Sequence, residues 1–150
     1  MKFLIVLFAL FASAFATTVQ DCQGGQTPIG RLIRVDIEGC QTPPCILPQG
    51  SIVNFEIEFE TGEAGEDLEP EIVAILAGIE IPYDGVPKEA CEDLIQGDCP
   101  YAKNEVLIYS QEFEILPIFP PVEVTVRWAL KDEMNRWHMC FEVDIEVTLP

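Results

Sequence analysis

Apolar and polar residues alternate strictly along much of this chain. The clearest runs are residues 53–60, 122–131 and 141–149, and weaker ones occupy residues 31–38, 71–81 and 105–115. A side-chain period of two is typical of a β-strand that buries one face and leaves the other in water. Turn-rich segments separate the runs, and none of them has a sustained helical period. The pattern therefore predicts an all-β fold, an antiparallel β-sandwich of six or seven strands.

The first 16 residues have a different pattern. Lys2 precedes an apolar run at residues 3–12, and small residues follow as far as Ala16. A basic start, a short apolar core and an Ala-x-Ala end are typical of a secretory signal peptide, whereas a membrane anchor needs about 20 apolar residues. We therefore predict a signal peptide at residues 1–16 and one domain at residues 17–150, secreted in its mature form.

The composition is strongly acidic. The chain has 8 Lys and Arg against 26 Asp and Glu, a formal net charge of −18 at pH 7. Loss of the signal peptide would remove one of those cations and no anion. Such a surface repels phosphate backbones, so nucleic-acid binding is not expected. It also opposes docking to anionic membranes.

Six cysteines follow the predicted signal peptide: Cys22, Cys40, Cys45, Cys91, Cys99 and Cys140. An even number in a small secreted chain predicts a disulfide framework, for which cysteine order alone allows fifteen pairings. Zinc binding is the alternative. It is disfavoured because the chain has no Cys-x-x-Cys pair and a single histidine.

Few residues of this chain are suited to catalysis. His138 is the only histidine, and it lies on the polar register of the last alternating run. The chain lacks a Gly-x-Ser-x-Gly elbow, and its many carboxylates lie on strand faces expected to be in water, where nothing would adapt them to acid–base chemistry. A hydrolase is therefore the weakest functional hypothesis. The inward faces are aliphatic and aromatic, which fits either a closed core or an apolar cavity, and alternation does not distinguish the two.

The cysteine spacing carries a resemblance to a known family. Residues 39–50 read Gly-Cys-Gln-Thr-Pro-Pro-Cys-Ile-Leu-Pro-Gln-Gly and precede an alternating strand. Together with Val-Gln-Asp-Cys at residues 19–22, the central segment at residues 78–100 and the hairpin pattern at residues 122–140, this resembles the ML lipid-recognition domain. Within that family, the chain is most similar to the Niemann–Pick type C2 branch, which includes the group-2 mite allergens.

The resemblance implies a specific architecture. It implies an immunoglobulin-like sandwich with an apolar cavity between its two sheets, and with disulfides Cys22–Cys140, Cys40–Cys45 and Cys91–Cys99. It further implies that the mouth of the cavity is lined by Tyr83, Ile118 and Phe119. No cofactor and no metal are implied.

The resemblance also implies a function. The expected protein is a monomeric, non-enzymatic carrier of a sterol such as cholesterol, which takes part in intracellular sterol transport. It would act in secreted fluid or in the lysosomal lumen. The implied partners are the sterol or another hydrophobic lipid, and a membrane sterol transporter of the Niemann–Pick type C1 kind. Two alternatives remain open: an extracellular carrier of fatty acids or semiochemicals, and an immune binder of bacterial glycolipids. The acidic composition disfavours the glycolipid alternative, because phosphorylated lipids would be repelled.

Overall fold

The computed structural model describes residues 16–150, so the predicted signal peptide lies outside the described residues except for its last position. The strands are β1 (Arg31–Ile37), β2 (Cys45–Pro48), β3 (Ile52–Glu60), β4 (Glu69–Leu76), β5 (Ile79–Tyr83), β6 (Leu94–Gln96), β7 (Val106–Glu114), β8 (Glu123–Lys131) and β9 (Trp137–Thr148). A short 3-10 helix, Ala90–Asp93, precedes β6. Within residues 16–150, no helix is long and apolar enough to cross a membrane.

The strands form two sheets that pack face to face. One sheet has the order β1-β3-β7-β6, and the other has the order β2-β9-β8-β4-β5. The predicted all-β sandwich is confirmed, with nine strands in residues 16–150 where the alternation predicts six or seven. The strands that the pattern missed, β2, β5 and β6, have only three to five residues each, too few for a period of two to be recognised. The pairs are antiparallel except for β2, which runs parallel to β9.

The two inner faces meet in a core of large aliphatic and aromatic side chains. Phe55, Ile57 and Phe59 of β3 are essentially inaccessible to solvent, as are Trp128 of β8 and Phe141 of β9. The rings of Phe55 and Trp128 lie 5.0 Å apart between their centroids, and this contact joins the two sheets. The alternation therefore predicts correctly which face of each long strand enters the core.

The N-terminal segment, residues 17–30, follows the edge of β9 that does not pair with β8, and around Cys22 it packs over the outer face of the five-stranded sheet. Gln20 exchanges two backbone hydrogen bonds with Glu142, and the Ile29 and Gly30 amides donate to the carbonyls of Trp137 and His138 at 2.8 and 3.0 Å. This cover buries the outward-facing Cys140 and Glu142. The expectation that the polar faces of the strands lie in water is thus wrong at this end of β9, because the register of a strand does not reveal what packs over it.

Three disulfides staple the fold. They join Cys22 to Cys140, Cys40 to Cys45 and Cys91 to Cys99, which is the pairing implied by the family resemblance. The first spans 118 residues of sequence and fastens the N-terminal segment onto β9. The other two close loops of 5 and 8 residues beside β2 and β6, so their effect is local.

Candidate functional site: an apolar cavity between the sheets

A cavity of about 230 Å³ lies between the two sheets. Its wall combines inward side chains of β3, β4, β5, β7, β8 and β9 with the loop that leads from β7 to β8. Every lining residue is aliphatic, aromatic or proline, and the polar side-chain atoms among them are the Tyr83 hydroxyl and the Trp128 indole nitrogen. The site is therefore suited to an apolar guest and offers it few hydrogen-bonding groups.

Small side chains on β4 and β8 leave space at this end of the sandwich. Ala74 of β4 pairs with Val126 of β8 on one side and with Ile81 of β5 on the other. Val124 and Val126 face inward, yet they are only partly buried, because they border open space. At the opposite end, large side chains such as Leu130 fill the interior completely. The same alternating pattern thus produces a closed core at one end and a cavity at the other.

A ladder of aromatic rings runs along the cavity from its floor to its mouth. Trp128 forms the floor, and its ring centroid lies 6.3 Å from that of Phe113. Phe113 contacts Tyr83 at 4.9 Å, and Tyr83 meets Phe119 edge-to-face at 5.9 Å. Rings in such tilted and edge-to-face arrangements attract each other by about 0.5–1.5 kcal/mol per pair beyond the area they bury. These ring contacts therefore help to hold the side chains of the aromatic ladder in place along the cavity.

The three predicted mouth residues are placed differently. Tyr83 and Phe119 both line the cavity and contact each other. Ile118 does not line it, since its side chain is 83% exposed and lies in the mouth loop, which we define as residues 116–121. Ile81, 49% exposed, takes part in the lining beside Tyr83. Sequence reasoning missed it because β5 is too short to reveal its inward face.

Comparison with known proteins assigns the family. Residues 16–147 match the ML domain. The chain belongs to the ML domain family. Its relatives include NPC intracellular cholesterol transporter 2 homolog a of Drosophila melanogaster, 33% identical over 95% of this chain and 95% of the relative. The NPC intracellular cholesterol transporter 2 of Bos taurus is 29% identical over 98% of this chain and 99% of the relative.

A solved structure agrees with this assignment. The Niemann-Pick type C2 protein from Japanese carpenter ant has the same fold, with a TM-score of 0.76 and 18% identity, over 87% of this chain and 99% of that one. The family resemblance drawn from the cysteine motif is thus confirmed, and the ML domain accounts for nearly all of the described residues.

Two carboxylates lie near Tyr83 in this ML domain, and neither lines the cavity. Burial raises the pKa of Tyr83 above its ordinary value, and the nearby carboxylates of Glu114 and Asp84 raise it further. The Tyr83 hydroxyl is therefore neutral at any physiological pH and serves only as a hydrogen-bonding group.

Lysine and arginine side chains are few, and most of them are already paired with carboxylates. Within residues 16–150, every lysine and arginine except Lys88 forms an ion pair with a carboxylate. Arg127, for example, is held on the outer face of its sheet between Glu80 at 2.9 Å and Glu142 at 3.4 Å. Because these guanidinium and ammonium groups are neutralised in place, they are poorly available to bind an anionic headgroup.

His138 lies outside the cavity and is completely buried. Its Nδ1 accepts a hydrogen bond from the Gly62 amide at 3.1 Å. The Tyr101 hydroxyl lies 3.2 Å from Nε2 and donates to the Asp67 carbonyl at 3.0 Å, so the neutral imidazole donates from Nε2 to Tyr101. The predicted position in water is wrong for this residue, since Tyr101 and the segment after β3 cover it. Its contacts tie β9 to Gly62 and Tyr101.

The stability of the domain is expected to fall at acid pH through His138. Burial lowers the pKa of His138 below its ordinary value of about 6.5. Arg136 acts in the same direction, whereas Asp132, 3.6 Å from Nε2, opposes it. The unfolded chain therefore takes up a proton that the native state resists. This contribution is fully present above about pH 6.5 and is lost below it, with a slope of at most about 1.4 kcal/mol per pH unit.

Urea unfolding between pH 7.5 and 5 measures this effect. The free energy of unfolding should fall more steeply with pH in the wild type than in His138→Asn, whose amide oxygen can still accept from the Gly62 amide but does not titrate. The remaining carboxylates near His138, Glu63 and Glu133, are common to both proteins. If the free energy of unfolding falls equally steeply with pH in both proteins, the acid sensitivity belongs to those carboxylates instead.

Proposed function

We propose that this ML domain is a lipid carrier that holds a sterol between its sheets and exchanges it without chemical change. The observation that carries the proposal is the wholly apolar lining of the cavity, with a single hydroxyl at its mouth and a single indole nitrogen at its floor. The names of its relatives as intracellular cholesterol transporters support the same ligand class.

Binding of a sterol requires the cavity to widen. Its volume of about 230 Å³ is below the range of roughly 300–1,000 Å³ that is typical of small-molecule sites. Tyr83 and Phe119 meet only through an edge-to-face contact of 5.9 Å, which a guest can displace at low cost. A sterol of about 28 non-hydrogen atoms at about −0.3 kcal/mol per atom would bind with roughly −8 kcal/mol, which corresponds to micromolar affinity.

Charge favours an uncharged lipid over the two alternative ligand classes. Fatty acids and phosphorylated glycolipids carry an anion that would meet Asp84 and Glu114 near the mouth, with few free cations to compensate. Native mass spectrometry of the purified protein, followed by lipid extraction, identifies the guest directly. A carried sterol supports the proposal, and a carried fatty acid or glycolipid would replace it with one of those alternatives.

The proposal excludes enzymatic turnover. The lining offers no nucleophile and no general base, and the buried His138 lies elsewhere. Incubation of the pure protein with a sterol ester should therefore leave the ester intact. Steady release of free sterol would contradict a binding role.

We further propose that residues 1–16 are a cleaved signal peptide and that the mature domain, residues 17–150, acts as a monomer in secreted fluid or in the lysosomal lumen. Its partner for delivery would be a membrane sterol transporter of the Niemann–Pick type C1 kind. N-terminal sequencing of protein from the medium of expressing cells tests the first point: a start at Thr17 is expected, and retention of Met1 would contradict it.

Truncation of Phe119 to alanine is expected to weaken sterol binding by about 2–3 kcal/mol, because its ring would bury apolar surface against the ligand. The fluorescence of a bound fluorescent sterol measures the affinity. The matched control is Ile118→Ala in the adjacent position, whose exposed side chain does not line the cavity and whose loss should change affinity little.

The same pair of variants tests the proposed mouth. Both should unfold in urea within about 1 kcal/mol of the wild type, since neither residue is fully buried. Equal losses of affinity in the two variants would assign Ile118 a direct contact with the ligand. A Phe119→Ala protein that binds sterol normally but is strongly destabilised would make Phe119 a core residue.

A further inference from the structure

The mouth loop has few attachments to the rest of the molecule. Pro117, Pro120 and Pro121 have no amide hydrogen to donate. The bonds within the loop and at its end are local, from the Phe119 amide to the Leu116 carbonyl and from the Val122 amide to the Pro120 carbonyl. Within residues 16–150, one hydrogen bond ties the loop to a distant segment, and it comes from the Gln49 side chain.

Gln49 reaches the loop at the residue that lines the cavity. Its Nε2 donates to the Phe119 carbonyl at 2.6 Å, across 70 residues of sequence. The Phe119 ring in turn contacts Tyr83 at the mouth. The position of the Phe119 backbone determines whether that ring covers the cavity, so the amide of Gln49 acts on the mouth through Phe119.

Gln49 is itself held firmly, in the turn between β2 and β3. The backbone amide of Gln49 donates to the Thr148 carbonyl at the end of β9 at 2.9 Å. The next residue, Gly50, donates to the Ile115 carbonyl just after β7 at 2.6 Å, and it adopts a φ of +82°, which favours glycine. The turn is thus attached to both sheets at the cavity end. It holds the side-chain amide of Gln49 in a fixed position beside the mouth loop.

We propose that Gln49 is a positioning residue that holds the mouth loop closed and so limits the rate at which lipid enters and leaves. The inference rests on the proposed lipid-carrier function. Loss of the hydrogen bond should free the loop in the empty and the loaded protein alike. Release and uptake of lipid should then both accelerate, while the equilibrium affinity changes much less.

The test uses dehydroergosterol, a fluorescent sterol, and three variants. Gln49→Met and Gln49→Glu keep the length of the side chain but lose the donor, and stopped-flow release of the sterol to neutral phosphatidylcholine vesicles should become about 2- to 10-fold faster. Gln49→Lys keeps an N–H donor at similar reach and should release at close to the wild-type rate.

Gln96→Met is the matched control. The Gln96 side chain also donates to a backbone carbonyl, that of Val106 at 3.3 Å, but it lies on β6 and does not line the cavity. It should leave the release rate unchanged. If Gln96→Met accelerates release as much as Gln49→Met, or if neither donor-free variant at position 49 alters the rate, the positioning role is overturned.

Hydrogen–deuterium exchange separates this inference from the proposed function. Peptides that span residues 113–123 should exchange faster in Gln49→Met than in the wild type, whereas those from the paired strands β8 and β9 should not. If the wild type fails to bind the sterol, the proposed function fails, yet the exchange measurement still tests Gln49. Unchanged exchange in the mouth loop would contradict the positioning role whatever the ligand is.

Discussion

Replacement of Trp128 with alanine is expected to lower the free energy of unfolding by about 3–5 kcal/mol, among the largest effects of any single substitution in this domain. The side chain is fully buried, and its ring lies 5.0 Å from Phe55, 6.2 Å from Tyr109 and 6.4 Å from Phe141 between centroids. The contacts with Phe55 of β3 and Tyr109 of β7 join the two sheets at the floor of the cavity. Truncation would extend the existing cavity into the core, where the rigid strands can close it only in part.

Two further variants sharpen that test. The Trp128 indole nitrogen is buried without a hydrogen-bond partner among the described residues, so Trp128→Phe removes an unsatisfied donor while it keeps an aromatic ring. The Trp128→Phe variant should lose distinctly less stability than Trp128→Ala. Ile118→Ala, at an exposed position, should stay within about 0.5 kcal/mol of the wild type. Urea unfolding gives all three values. If the Trp128→Ala loss does not exceed the Ile118→Ala loss, Trp128 does not hold the sheets together.

Removal of the Cys22–Cys140 disulfide is expected to cost about 5 kcal/mol by the loop-entropy relation, because the bond closes a loop of 118 residues in the unfolded chain. The bond also fastens the N-terminal segment over β9, beside the buried ring of Trp137. The double variant Cys22→Ala/Cys140→Ala should therefore unfold at much lower urea concentration than the wild type. The backbone amides that form hydrogen bonds between β9 and the N-terminal segment should also exchange faster with deuterium.

The matched control is Cys40→Ala/Cys45→Ala. Its disulfide closes a loop of only 5 residues, for which the same relation gives about 2 kcal/mol. The two double variants remove the same number of sulfur atoms and differ mainly in loop length. Equal losses of stability would show that local packing, not restriction of the unfolded chain, determines what each disulfide contributes.

Much of the fold is a local property of the sequence. The period of two places Val53, Phe55, Ile57 and Phe59 on one face of β3, because successive side chains of an extended chain point to opposite sides whatever surrounds it. The family is recognised by resemblance, through the cysteine motif at residues 39–50 and three further segments that are also local stretches of sequence. The long strands, their inward faces, the family and the disulfide content could therefore be predicted from the amino-acid sequence alone.

What covers each face was decided only by the tertiary structure. His138 and Glu142 follow the polar register, yet distant parts of the chain bury them: Gly62 and Tyr101 contact His138, 76 and 37 residues away in sequence, and Gln20 pairs with Glu142. The short strand β5 and its lining residue Ile81 depend on pairing with β4 for their definition. A strand of three to five residues carries too little pattern to be read by itself.

The cavity is decided in the same way. Its existence depends on the volumes of residues that meet across the sandwich, such as Ala74 and Val126 on one sheet and Phe113 on the other. Alternation gives the side of a strand on which a residue lies, but not the size of the residue that faces it. Tyr83 and Phe119 likewise come together only because β5 and the mouth loop meet at one end of the sandwich, while Ile118, the residue before Phe119, turns to solvent. The volume of a cavity depends on side chains that are distant in sequence, so only the packed structure determines where the cavity lies.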